Sequence, residues 1–264
     1  MTTTIVLPTN PIFDIYCKNK DEVEARYGTR IIRLPEKDCI STMLYNRADA
    51  AFLSPLGYGL GLGRADYRIV EGPALGLLGY TKTASIYFKE GLVTLASAMS
   101  DEPDDFIMLM ANLLLREMYD IELDLKKNTE GIDKILGVAD AAILWGNKQE
   151  IPNSLDISDE WFEFFNYQLP LGFWVCRNEE HPIAIKEIIT DLIGPAFTLE
   201  DDILEELPLD KDLLPRQGRI LRKWDDDMEQ ALEQTISLLY YHQFLSEIPA
   251  IKILGRDDSE IIVK

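Results

Sequence analysis

The sequence predicts an α/β protein of two lobes, and three observations carry that prediction. Short β-branched and apolar runs alternate with helical stretches along the chain. Those runs are apolar at nearly every position, which suits parallel strands buried on both faces. One strand motif, Ala48-Asp-Ala-Ala-Phe-Leu-Ser-Pro, recurs as Ala139-Asp-Ala-Ala-Ile-Leu-Trp-Gly, each copy after a short helix and before a turn. Two equivalent strands, one per lobe, would both end at the edge where open α/β sheets bind ligands, so a cleft between the lobes is expected.

The elements follow in order. Thr3–Leu7 reads as a first strand and the Pro-Thr-Asn-Pro after it as a tight loop. Ile31–Leu34 is a strand, 38–46 a short helix and Ala48–Leu53 a strand. Further strands are expected at Tyr67–Val70, Ala74–Tyr80 and Ser85–Phe88. A second series starts with a strand at Leu92–Ala96, then a helix over 103–118, a strand at Ile121–Leu125 and a helix over 131–136. The repeated strand Ala139–Trp145 follows, then a helix over 158–166 carrying Trp161, Phe162, Phe164 and Phe165, and a strand at Leu169–Cys176. The remainder reads as mostly helical: 182–193, a mixed acidic stretch at 199–207, and a long helix over 224–245. In that last helix Met228, Leu232, Thr235, Ile236 and Leu239 fall on one face.

Composition narrows the function classes. A formal net charge of −20 repels phosphate backbones and anionic lipid heads, so nucleic acid and membrane surfaces are not expected partners. No stretch reaches the roughly 18 apolar residues of a spanning helix. The first residues lack the basic and apolar segments of a secretory signal, so a cytoplasmic protein is expected. Cys17, Cys39 and Cys176 have no CxxC spacing and read as reduced structural thiols.

The common chemical motifs are missing. The series Gly57-Tyr-Gly59-Leu-Gly61-Leu-Gly63 lacks the spacing of a dinucleotide loop and reads as a mobile turn over the cleft. No P-loop, HExxH, GxSxG or EF-hand loop occurs, and neither a metal nor an organic cofactor is expected. The acidic clusters 101–105, 200–202 and 225–227 carry the oxygens a hard cation takes, but without Gly and Asn at loop spacing they read as solvated helix starts, where carboxylates meet the positive end of the dipole. His181 and His242 give little purchase for acid–base work: His242 lies among aromatics of the last helix, and His181 stands in a loop.

Two sheets with paired strand ends and two chain crossings resemble the type II periplasmic-binding-protein fold. The crossings are expected near 80–88 and 176–181. The lobes are then 1–84 with 181–264, and 85–180.

Particular residues carry a closer resemblance. In order they are Asn10 after the first strand, Ala48–Leu53 running into Ser54-Pro-Leu-Gly-Tyr58, and Thr83-Ala-Ser-Ile-Tyr-Phe-Lys89. Then come Asp140-Ala-Ala-Ile-Leu-Trp-Gly146, Ile157-Ser-Asp-Glu-Trp161 and Leu169–Arg177. This order resembles the menaquinone-biosynthesis family of the futalosine route, which holds chorismate dehydratases and 1,4-dihydroxy-6-naphthoate synthases. The resemblance covers the chain to about Arg177. It implies a cytosolic enzyme of this fold without cofactor.

The resemblance also implies roles. Asn10 would meet a ligand carboxylate or hydroxyl, the alternative being a turn-forming Asn beside Pro11. Ser85 would offer a hydroxyl and amide to an anion, though Ala84 stands where the family has glycine. Asn10 and Ser85 are thus the expected catalytic pair. Ser54 and Tyr58 would line one lobe's edge, Trp145 and Gly146 the other's, with Ser97 and Ser100 the remnant of a carboxylate-binding run. Two departures count against it. The naphthoate synthases' histidine is absent from Trp145-Gly-Asn-Lys-Gln. The dehydratases' Ser-Arg-Thr-Ser run is replaced by an acidic one ending at Asp105, in which Pro103 removes an amide donor.

The expected function is therefore a hydro-lyase resembling chorismate dehydratase, acting on a small carboxylated cyclic substrate. The alternative is a non-catalytic protein of the same fold that binds a small molecule. A third reading is an offshoot for a neutral or cationic ligand, if the 101–105 cluster faces the cleft.

Overall fold

The computed structural model describes residues 2–61, 64–146, 153–177, 182–195, 197–206 and 215–256. The chain forms two compact units, one of residues 1–75, 170–200 and 222–264, the other of 76–169 and 201–221. Three of the four divisions, at 75/76, 169/170 and 221/222, fall inside strands. His181 lies outside the described residues.

In the first unit, β1 (Thr4–Pro8) leads through a 3-10 turn (Pro11–Cys17) and α1 (Lys20–Tyr27) to β2 (Arg30–Leu34). Then come α2 (Glu36–Leu44), β3 (Ala50–Leu53), α3 (Pro55–Leu60) and β4 (Tyr67–Gly79). The second unit holds β5 (Ala84–Phe88), β6 (Ala98–Ser100), α4 (Phe106–Tyr119), β7 (Leu125–Lys127) and α5 (Ile132–Val138). It continues with β8 (Ala141–Trp145), β9 (Ser154–Asp156) and α6 (Ile157–Phe165). β10 (Leu169–Arg177) and α7 (Pro182–Ile193) return to the first unit. A hairpin of β11 (Asp202–Glu206) and β12 (Arg216–Lys223) precedes the closing helix α8 (Asp226–Tyr241).

The two sheets repeat one plan. In the first, β1 lies between parallel neighbours β2 and β3, and β10 joins β3 antiparallel. In the second, β6 lies between parallel β7 and β8, and β5 joins β8 antiparallel. The repeated motif therefore occupies the same strand in both sheets. Its aspartate is part of the plan: Asp49 Oδ2 accepts from Thr4 N at 2.6 Å, tying β3 to the start of β1. Asp140 Oδ2 likewise accepts from Ala96 N, Ser97 N and Ser97 Oγ, at 3.1, 3.0 and 2.8 Å, just before β6. The motif recurs because each sheet needs small apolar residues in a central strand and an acceptor for the amides opening its neighbour.

Aromatic packing holds the first unit. Phe52 of β3 meets Phe13, Tyr16 and Trp174 at centroid distances of 5.5, 4.6 and 5.3 Å. In the second unit Tyr87, Ile135, Ala142 and Leu144 form a cluster under α5. Each fully buried large side chain contributes about 1.5–3 kcal/mol, which outweighs the weak amphipathicity of the short helices.

Several expectations are corrected. Residues 92–96 form no strand: Val93 is 95% exposed, and only Ala98–Ser100 lies beside β8. Tyr67–Val70 and Ala74–Tyr80 are one strand, β4. Residues 202–206 are a strand rather than helix, because antiparallel pairing with β12 overrides the low strand propensity of acidic residues. Gly57, Gly59 and Gly61 are not a turn over a cleft. They lie buried in and just after α3, where a Cβ would meet Ile40 at 2.9 Å, Leu245 at 2.6 Å and Tyr67 at 2.1 Å. Gly63 lies outside the described residues.

Candidate ligand-binding edge

Parallel strands deliver their C-terminal ends to one edge of a sheet, and loops there reach a ligand with both backbone and side chains. In the second unit that edge consists of the end of β6 at Ser100, the end of β8 at Trp145 and Gly146, and the start of α4. β5 runs antiparallel to β8 and begins here too, pairing Ala84 with Trp145 and Ser85 with Leu144.

Asp105 is the chemically distinctive group. It precedes the apolar run that becomes α4 and takes the N-cap position, yet its side chain makes no capping bond. Its Oδ2 instead accepts from Trp145 Nε1 at 2.8 Å, which fixes the indole at the edge. Burial pushes the Asp105 carboxyl up to about 6; the Trp145 bond opposes the rise, and Glu102, Asp101 and Asp104 add to it. Asp101 Oδ1 is buried and accepts no hydrogen bond among the described residues. Pro103 lies upstream of α4, so it removes no donor from the helix's first turn.

The remaining expected residues of this unit fall at different places. Ser100 is fully buried, and its Oγ accepts from Glu102 N at 3.2 Å, shaping the acidic turn. Gly146 turns the chain at φ +79°, donates from its N to Thr83 O at 2.7 Å and accepts from Tyr87 OH at 3.2 Å. Ser85 is buried one residue inside the edge, opposite Asp156 of β9. Ser97 belongs to the opposite edge, because it precedes β6 and spends its amide and hydroxyl on Asp140.

Behind β5 lies a polar network that sequence reasoning missed. Buried Asp156 accepts from Lys82 N, Ser158 N and Asp159 N at 2.7, 3.1 and 3.1 Å. Ser158 Oγ is 2.8 Å from Asp156 Oδ1, 2.7 Å from Gly79 O and 2.7 Å from Thr81 Oγ1. Burial pushes Asp156 upward against these bonds. The Asp-x-Ser spacing that opens α6 was the available signal, since a side chain at the N-cap accepts the amides two and three residues on.

Three expected residues belong to the first unit. Asn10 Oδ1 accepts from Ile12 N at 3.1 Å, capping the 3-10 turn beside Pro11. Ser54 is buried at the N-cap of α3, and its Oγ makes no hydrogen bond among the described residues. Tyr58 OH donates to Ala250 O at 3.0 Å and accepts from Lys252 N at 2.9 Å, and burial pushes its phenol up to about 12. Cys39 and Cys176 are buried free thiols whose ionisation burial disfavours.

Among the described residues no cluster of His, Cys, Asp and Glu forms a metal site, and no helix is long and apolar enough to cross a membrane.

Comparison with known proteins follows the fold. No family model matches the chain, and no curated protein does. A solved structure of an ABC transporter from Parabacteroides distasonis is 11% identical, covers 97% of this chain and 99% of its own, and superposes with a TM-score of 0.57. Protein AF1704 from Archaeoglobus fulgidus is 17% identical over 73% of this chain and 74% of its own, with a TM-score of 0.51. A periplasmic substrate-binding protein of an ABC transporter from Coxiella burnetii is 12% identical over 74% and 93%, with a TM-score of 0.45. The chain has an α/β fold of the periplasmic-binding-protein kind.

Proposed function

We propose that this chain binds a small organic molecule at the strand edge of the second unit, and that the ligand presents a neutral donor or a cation there. The carrying observation is the Asp105–Trp145 pair. Above about pH 6 the edge offers a carboxylate beside an oriented indole, with three further acidic side chains raising its proton affinity. Such a site attracts an ammonium and repels a carboxylate. The unserved Asp101 Oδ1 favours the same class, since a buried acceptor gains most from a ligand donor. Fold likeness supports binding of a small molecule in general and leaves the choice to the site.

A second reading is a hydro-lyase of the chorismate dehydratase kind. One observation favours it: a carboxyl titrating at about 6 both accepts and donates protons near neutrality, as general acid–base work requires. Asp105 would then move the proton and Ser85 would orient the leaving hydroxyl, without metal or cofactor.

One experiment separates the two. The protein is challenged at pH 7 with tyramine, with 4-hydroxyphenylacetate and with chorismate, following thermal stability and loss of water by mass spectrometry. Stabilisation by tyramine alone, lost in Asp105→Asn, is the expected result. Stabilisation by the carboxylate instead would overturn the binding proposal. Dehydration of chorismate that fails in Ser85→Ala would establish the lyase.

A further inference from the structure

We infer that the first unit carries a separate site for a small carboxylate with an apolar or ring-shaped body. The inference does not depend on the strand edge or its ligand. A cavity of about 370 Å³ opens between the end of α3, the start of β4 and the segment after α8. That volume lies in the range of small-molecule sites, roughly 300–1,000 Å³. Tyr58, Tyr67, Pro249 and Ala250 supply apolar walls, while Arg64, Asp66 and Lys252 supply the charges.

The charge pattern selects the ligand. Asp66 is fully committed: Oδ1 accepts from Lys252 Nζ at 2.7 Å, and Oδ2 accepts from Arg68 Nη2 and Nε at 2.9 and 3.2 Å. Arg64 is exposed at the rim and makes no ion pair with a described residue. With Asp66 engaged by Lys252 and Arg68, Arg64 is the lining charge left over, a cation in a chain whose net charge is −20. A guanidinium without an ion pair among the described residues, beside an aromatic wall, is the arrangement that takes a carboxylate in bidentate fashion.

The walls are built rather than incidental. The Tyr58 hydroxyl fastens the 250–252 backbone by both its donor and its acceptor bonds. Gly61 admits the Tyr67 ring, which a Cβ would meet at 2.1 Å. Lys252 is held in line by its backbone, whose O accepts from Ile69 N at 2.8 Å. The site is therefore preformed, and binding spends little on ordering its walls.

The test is titration of the ¹⁵N-labelled full chain with benzoate, its neutral isostere benzamide serving as comparison. Benzoate should produce saturable shifts at the amides of Gly61, Ala65 and Lys252 with a Kd of about 1 mM or tighter. Benzamide, and benzoate with Arg64→Gln, should each bind at least ~10-fold more weakly, while Lys126→Gln on the second unit should bind benzoate as the parent does. No saturation by ~10 mM, equal affinity for benzamide, unchanged binding in Arg64→Gln, equal loss in Lys126→Gln, or shifts confined to Ser100 and Trp145 would each overturn the inference.

Discussion

The Trp145 indole N–H and the Asp105 carboxylate are joined at 2.8 Å across the strand edge of the second unit, one residue ending β8 and the other standing at the N-cap position of α4. Burial moves this helix-start aspartate up to about 6, and the indole bond holds the rise in check. That bond also gives the edge an oriented ring.

The first prediction concerns this titration. The indole bond favours the charged carboxylate, so Trp145→Phe should raise the Asp105 midpoint above its present value of about 6. The stability sign follows from proton uptake. Unfolded Asp105 titrates at 3.8 and folded Asp105 at about 6, so between these values the native state holds more protons and stability falls as pH rises. The cost is complete above about 6. Asp105→Asn should therefore be more stable than the parent above that pH and lose this advantage toward 3.8. Carboxyl-detected NMR and urea melts across the window check both. A midpoint at 3.8 would remove the basis for the proposed site.

The second prediction concerns the repeated aspartates. Asp49→Ala orphans the Thr4 amide and should cost about 1–3 kcal/mol, read as a lower urea midpoint at constant slope. Asp140 is held below the ordinary carboxylate range, first by the Ser97 hydroxyl and then by the Ala96 amide. A depressed folded value means its contribution is present above 3.8 and lost as pH falls through the folded midpoint. Ser97→Ala should bring that midpoint back toward 3.8 and move the acid limb of stability upward. Unchanged acid unfolding in Ser97→Ala would show that Asp140 does not hold β6 in place.

Glycines in helical surroundings should split in sign. Gly137 lies in α5 with open space where a Cβ would stand, so Gly137→Ala should stabilise by about 0.5–1 kcal/mol. Gly61 would drive a Cβ into the Tyr67 ring, so Gly61→Ala should destabilise by about 1–3 kcal/mol. Thermal melts of both variants decide the matter. Two changes of the same sign would mean that the Tyr67 contact is not what requires glycine.

How far the sequence foretold this depends on where each element's stabilisation originates. The paired strands of the Ala-Asp-Ala-Ala motif were readable because their own residues state both burial and position: small apolar side chains in the sheet, an acceptor before it. β11 was not readable, because Asp202, Glu205 and Glu206 become strand through pairing with distant Arg216–Ile220. α1 left no stripe to find, since Val23 alone is buried among its charged residues. The site divides the same way. Trp145 and Gly146 were placed by the repeat, whereas Asp105 looked like one of several acidic side chains. What distinguishes it is a contact with an indole 40 residues away, and no local pattern encodes that. Ser97 misled for a related reason, because its place on the opposite edge depends on strand direction relative to Asp140.

The last prediction addresses the buried network behind β5. The single proton of Ser158 serves either Gly79 O or Asp156 Oδ1, and the Thr81 hydroxyl lies 2.7 Å from Ser158 Oγ. Ser158→Ala removes the shared member and leaves Gly79 O and Thr81 to find other partners in a site closed to solvent. A loss of about 1–3 kcal/mol is expected, at the upper end if no water enters. The same change removes a bond that favours the charged form of Asp156, so burial should push that carboxyl further up. Because a raised folded value costs stability at higher pH, the deficit of Ser158→Ala should grow as pH rises from the acid side toward neutrality. Urea melts at several pH values measure this directly. A deficit that does not vary with pH would assign Ser158 a packing role alone and detach Asp156 from the network.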